Sequence, residues 1–124
     1  MFRTILPAVA AATALSLTAP AAFAAERSPA ERQILVDLAY VLGQSHALRQ
    51  TCEGQADQFW RGRMVGLIQA EQPDLGLDRR LKEAFNAGFD AAQTAYPSCS
   101  AQSRRAEAQA AEHGRSLAQG LTQP

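Results

Sequence analysis

The chain holds two cysteines, one tryptophan and a single lysine, Lys82, among 124 residues. Each scarcity excludes something. Structural zinc takes three or four Cys, His or carboxylate ligands at short spacings, and the sequence has no CxxC, HxxxH or HExxH. No CxxCH is present for covalent haem attachment, and no glycine loop that could cradle phosphates. Neither a metal nor a cofactor is implied. A GxSxG nucleophile motif is also missing, and the carboxylates form no obvious acid/base pair. Neither sign of charge is in excess: 12 basic and 12 acidic residues give a net charge of zero. That excludes the basic footprint of a nucleic-acid binder.

No apolar run reaches the ~20 residues that a bilayer core requires. The nearest approach is the N-terminus. Arg3 supplies a short positive region, Ile5 to Leu17 a small apolar one, and Ala22-Phe23-Ala24 a small-x-small cleavage pattern. Pro7 and Pro20 interrupt the apolar run. Residues 1–24 are therefore expected to be a cleaved signal peptide, with Ala25 first in the mature protein and no transmembrane segment left. No cysteine follows the cleavage site to carry a lipid. The expected location is the periplasm, and the mature part, about 100 residues, is one small domain.

That domain, residues 25–118, reads as all-α: a compact three- to four-helix bundle, with helices expected near 28–51, 55–72, 75–96 and 100–118 and a disordered tail at 119–124. Ser28-Pro29-Ala30-Glu31 is a capping box with proline at the first helical position. Beyond it Ile34, Leu38, Val41, Leu42 and Leu48 recur at helical spacing, and Val36, Tyr40 and Ala47 form a second apolar strip. A helix that is apolar on two sides packs against more than one neighbour. The second helix carries Phe59, Trp60, Met64, Leu67 and Ile68, and Pro73 ends it. The third has the cleanest face, from Leu77 through Phe85 and Phe89 to Tyr96, with Arg79 and Glu83 spaced as an ion pair. The fourth is alanine-rich with a thin stripe of Ala106, Ala110 and Leu117, and is expected to be the least tightly held. Gly43, Gly62, Gly66 and Gly88 fall inside helices, where glycine costs about 1 kcal/mol against alanine. They signal either close helix–helix approach or a ligand groove.

An even cysteine count in an exported chain points to a disulfide. Up-down-up connectivity places the ends of the first and third helices at one pole. Cys52 lies at the first end and Cys99 at the second, so the two are expected to pair. Closing a loop of about fifty residues is worth roughly 4 kcal/mol in chain entropy. The bond would leave His46 without a thiolate to activate; His46 then reads as a boundary histidine with local hydrogen bonds, and His113 as solvated. Arg49 and Ser45 project within the apolar arc of the first helix, and Arg63 between Phe59 and Leu67. Arginines on apolar faces pair with carboxylates or reach for water. Glu53 and Asp57 are the partners at hand for Arg49, and Asp57 with Arg61 has i,i+4 spacing. His46, Arg49, Trp60, Arg61 and Arg63 thus form a candidate polar cluster at the disulfide pole. It is either a network that fixes helix register or a small anion-, peptide- or glycan-binding surface.

The run LAYVLGQSHALRQTCEG…DQFWRGRMVGLI, followed by LKEAFNAGF and YPSC, resembles a family of small secreted proteobacterial proteins known as a domain of unknown function. The resemblance spans Ile34 to Cys99, and HALRxxC and WRxRM are its most specific parts. It implies an exported helical protein and supplies no activity, cofactor or catalytic residue. Taken together, these features predict a non-enzymatic accessory or interaction protein of the cell envelope, with an envelope protein or cell-wall component as partner. A small-ligand binder with a groove near Trp60 and Arg49 is the alternative, and a cell-wall-acting enzyme comes third.

Overall fold

The computed structural model describes residues 14–15 and 27–122. The expected signal peptide lies outside them apart from Ala14 and Leu15, as do the last two residues of the expected tail. Four helices and no strand occur among the described residues: α1 Pro29–Glu53, α2 Phe59–Glu71, α3 Leu75–Ala95 and α4 Ala101–Thr122. None of them is long and apolar enough to cross a membrane.

Local chemistry sets each boundary. The Ser28 hydroxyl accepts from the Glu31 N–H while the Glu31 carboxylate accepts from the Ser28 N–H, closing the capping box that opens α1. Gly54, at φ 101°, ends α1 in a conformation that L side chains rarely adopt. Asp74 caps α3 by accepting from the Leu77 N–H at 2.8 Å.

α1 is the central helix. Leu35, Leu38, Ala39, Val41, Leu42, Gly43, Ser45, His46, Ala47 and Leu48 are buried over most of its circumference, with Gln33 and Asp37 on the strip left exposed, and α2, α3 and α4 all pack on it. The two apolar strips of α1 are explained by this placement. The poles fix the directions. The Cys52–Cys99 disulfide joins the end of α1 to the segment that leaves α3, so α1 and α3 run parallel. At the opposite pole the Arg27 guanidinium donates to both carboxylate oxygens of Glu71 at 3.1 and 2.8 Å, to Glu31 at 2.9 Å and to the Leu121 carbonyl at 3.0 Å. Arg32 pairs with Asp74 at 2.8 Å. The start of α1 thereby meets the end of α2, the start of α3 and the end of α4.

α1 and α3 meet through two glycines. A Cβ at Gly43 would land on the Phe85 carbonyl, and one at Gly88 on the Tyr40 carbonyl. Close approach is thus the reason for Gly43 and Gly88. Gly62 and Gly66 have nothing within 4 Å of a built Cβ and face open space.

Three expectations need correction. α4 is not the loosest helix. Leu117, Ala118 and Leu121 pack on the core around Leu35, Leu77 and Leu81, and Ser103 is fully buried at the other end. The helix continues to Thr122 through positions expected to be disordered, because Leu121 has an apolar seat and its carbonyl meets Arg27. α2 packs less extensively on α1 than α4 does: it buries Met64, with Trp60, Leu67 and Ile68 half-buried against the core, while Phe59 and Val65 are 46% and 48% exposed. On α3 the i,i+4 ion pair that forms is Asp78–Lys82, not Arg79–Glu83.

The glycine contacts predict opposite outcomes for one substitution. Gly43→Ala or Gly88→Ala should lower unfolding stability by about 3 kcal/mol, since backbone blocks the methyl. Gly62→Ala or Gly66→Ala should raise it by up to about 1 kcal/mol. Urea unfolding of the four variants checks this.

Candidate functional site

The candidate cluster divides across α2. Arg49, Trp60 and Arg63 stand on one side, His46 and Arg61 on the other.

On the first side, the Arg49 Nε donates to both Asp57 oxygens at 3.0 Å, and its Nη1 lies 3.9 Å from Glu107. Its guanidinium also lies over the Phe59 ring, 4.8 Å from the centroid, and Arg63 approaches the same ring at 5.3 Å. The Trp60 indole N–H donates to Glu107 at 2.9 Å. The Asp57 carboxylate has a second partner, the Phe59 N–H at 3.1 Å. That backbone bond and then Arg49 hold the Asp57 carboxyl below the usual carboxylate range. The expected Asp57–Arg61 pair does not form, because the Asp57 carboxylate is turned toward Arg49; Glu53 faces Arg104 at 3.7 Å instead of Arg49. Ser45 is buried and donates to the Val41 carbonyl at 2.9 Å. This side is a clasp. It ties the α1–α2 loop and the start of α2 to α1 and α4.

The second side is different in kind. His46 is not a boundary residue with local hydrogen bonds. It is 5% exposed, with its ring between Phe85 and Phe89 at centroid distances of 5.7 and 5.4 Å. Its Nδ1 is sealed from solvent with no hydrogen-bond partner. Burial above all, then the nearby Arg61 charge, lowers the imidazole pKa, against a smaller opposing pull from Asp57. The ring therefore favours the neutral form. Together with Arg61 and Phe89, His46 lines a groove of about 460 Å³ between α2 and α3. Met64, Val65 and Ile68 form its α2 wall, and Lys82, Phe85, Asn86 and Phe89 its α3 wall. Its size falls within the range of small-ligand pockets.

Cys52 is in the disulfide and can act neither as nucleophile nor as ligand. His113 lies far along α4, in a smaller groove of about 410 Å³ with Gln44, Gln109 and Tyr96. Among the described residues no group of three or more His, Cys, Asp or Glu side chains is arranged to hold a metal ion. Sequence reasoning missed Phe85, Phe89, Asn86, Lys82 and Glu107 as site neighbours. The apolar periodicity of α3 marks the two phenylalanines, but only the register of α1 against α3 aims them at His46.

Two outcomes follow. His46 has a folded pKa below its ordinary value of 6.5, so the unfolded chain takes up the proton first. Its contribution to stability is complete above about pH 6.5 and is lost as pH falls below that value. His46→Phe should flatten the stability–pH curve just below pH 6.5, before the carboxylates titrate. Arg49→Ala should lower the urea midpoint by leaving Asp57 facing Phe59 without its cation, and Arg49→Lys should recover only part, since an ammonium cannot reproduce the fork.

No curated protein and no solved structure matches the chain. One family profile does, described as "Protein of unknown function (DUF2385)", and it covers residues 29–124. All four helices, both cysteines and every residue of the α2–α3 groove fall inside that match. The chain therefore belongs to the DUF2385 family of proteins of unknown function.

Proposed function

We propose that the protein is an exported, non-enzymatic accessory protein of the cell envelope, and that it works by binding a ligand in the α2–α3 groove. The observation that carries the proposal is the groove itself: about 460 Å³ between α2 and α3, lined by the buried His46 ring, the Arg61 guanidinium and the apolar side chains of Met64, Val65, Ile68, Phe85 and Phe89. Export is supported by the leader-like N-terminus and by the disulfide, which persists in oxidising compartments. Arg27, which ties three helix ends together, lies just beyond the proposed cleavage point and would stay with the mature chain.

Binding in the groove suits the proposed non-enzymatic role. His46 has two aromatic rings as neighbours and neither a carboxylate nor a hydroxyl bonded to it among the described residues. Such a ring can accept or donate one hydrogen bond to a ligand, and the apolar walls supply the contact area.

A cellular test uses Val65, which is half exposed on the groove wall. Val65→Trp should fold normally, fractionate with the periplasm with Ala25 at its N-terminus, and fail to complement a deletion strain. Full complementation by Val65→Trp would refute the groove as the working surface.

A further inference from the structure

We propose that the α2–α3 groove takes a monoanionic acyl carboxylate, with the carboxylate on Arg61 beside His46 and the acyl chain lying between Met64, Ile68, Phe85 and Phe89. This rests on the groove being the binding face and adds the chemistry of what it binds.

Charge comes first. Two cations line the groove, Arg61 and Lys82. Lys82 is already paired with Asp78 at 2.9 Å, whereas Arg61 forms no ion pair or hydrogen bond among the described residues. The groove thus offers one uncompensated positive charge, which suits a single negative charge.

Position comes second. α2 and α3 run antiparallel, so Arg61 lies at the Phe89 end and Lys82 at the Ile68 end. Seven residues of helix separate Arg61 from Ile68, and seven separate Lys82 from Phe89. At the helical rise each span is about 10 Å. A ligand anchored at Arg61 therefore has one direction to extend, along a slot with aliphatic side chains on one wall and aromatic rings on the other. His46 lies at the anchored end, against Phe89.

Polarity comes third, and it separates an acyl chain from an apolar peptide, which can also present a carboxylate. A peptide buries amide groups that must be hydrogen-bonded. Between the two ends of the slot the only side-chain amide is Asn86, and helix backbones keep their own hydrogen-bonding groups. A methylene chain needs none.

The test titrates the purified protein with octanoate, octanol and an acetylated apolar tripeptide with a free carboxylate, followed by side-chain NMR. Octanoate should shift the His46, Phe85 and Phe89 resonances, and octanol should bind about tenfold more weakly or worse, the worth of a charge-assisted hydrogen bond. Arg61→Ala should reduce octanoate to the affinity of octanol and leave octanol unchanged. Equal affinity for octanoate and octanol, an unchanged Arg61→Ala, or tighter binding of the tripeptide would each overturn the acyl-carboxylate assignment. If no probe reaches the groove while Val65→Trp still fails in cells, the ligand class is wrong and the groove stands. If octanoate binds as expected and Val65→Trp complements fully, the ligand class stands and the cellular role falls.

Discussion

The close contact of α1 with α3 is the constraint on which the rest depends. Gly43 lies against the Phe85 backbone and Gly88 against the Tyr40 backbone. Only residues without a Cβ permit this approach. The same contact fixes the axial register of the two helices, and that register brings Phe85 and Phe89 onto His46. The Cys52–Cys99 disulfide ties one end of the pair, and Arg32 with Asp74 ties the other. The α1–α3 unit is thus held at both poles and in the middle.

α2 and α4 are added to this unit in different ways. α4 lies along α1 with Leu117, Ala118 and Leu121 half-buried against the core and Ser103 buried beside the disulfide. α2 contributes Met64 to the core, with Trp60, Leu67 and Ile68 half-buried against it, packs less extensively on α1 than α4 does, and is fastened at its ends by Asp57 with Arg49 and by Glu71 with Arg27. A helix fastened at its ends and thinly packed between them leaves room beside it, and the α2–α3 groove occupies that room. The groove is therefore a consequence of where the apolar area runs out. The polar cluster that the sequence suggested is split by α2 into a structural half, built on Arg49 and Trp60, and a groove half, built on His46 and Arg61.

Much of the fold was legible in the sequence because its signals are local. The Ser28 capping box, Pro73 and the amphipathic period of α3 need no knowledge of other helices. The disulfide was legible from topology, since up-down-up connectivity brings Cys52 and Cys99 to one pole. What could not be read was set by contacts distant in sequence. Arg27 joins Glu71 and Leu121, 44 and 94 residues away, and no local pattern announces that. Glu107 meets Trp60 across 47 residues. The burial of His46 depends on the α1–α3 register, so a helical wheel of α1 alone set it at the edge of the apolar arc. Of Gly43, Gly62, Gly66 and Gly88, two mark the contact and two mark open surface, and composition cannot tell them apart.

The central claim is that a rigid α1–α3 unit carries a thinly held α2 and that the groove lies between them. Native-state hydrogen exchange, read amide by amide, tests this most directly, because opening free energies follow local burial. The amides around Gly43 on α1 and Gly88 on α3 should be the slowest to exchange and should open only with global unfolding. The amides of α2 from Arg63 to Ala70 should open at lower free energy as a separate unit. Protection of α2 equal to that of α1 and α3 would contradict the account.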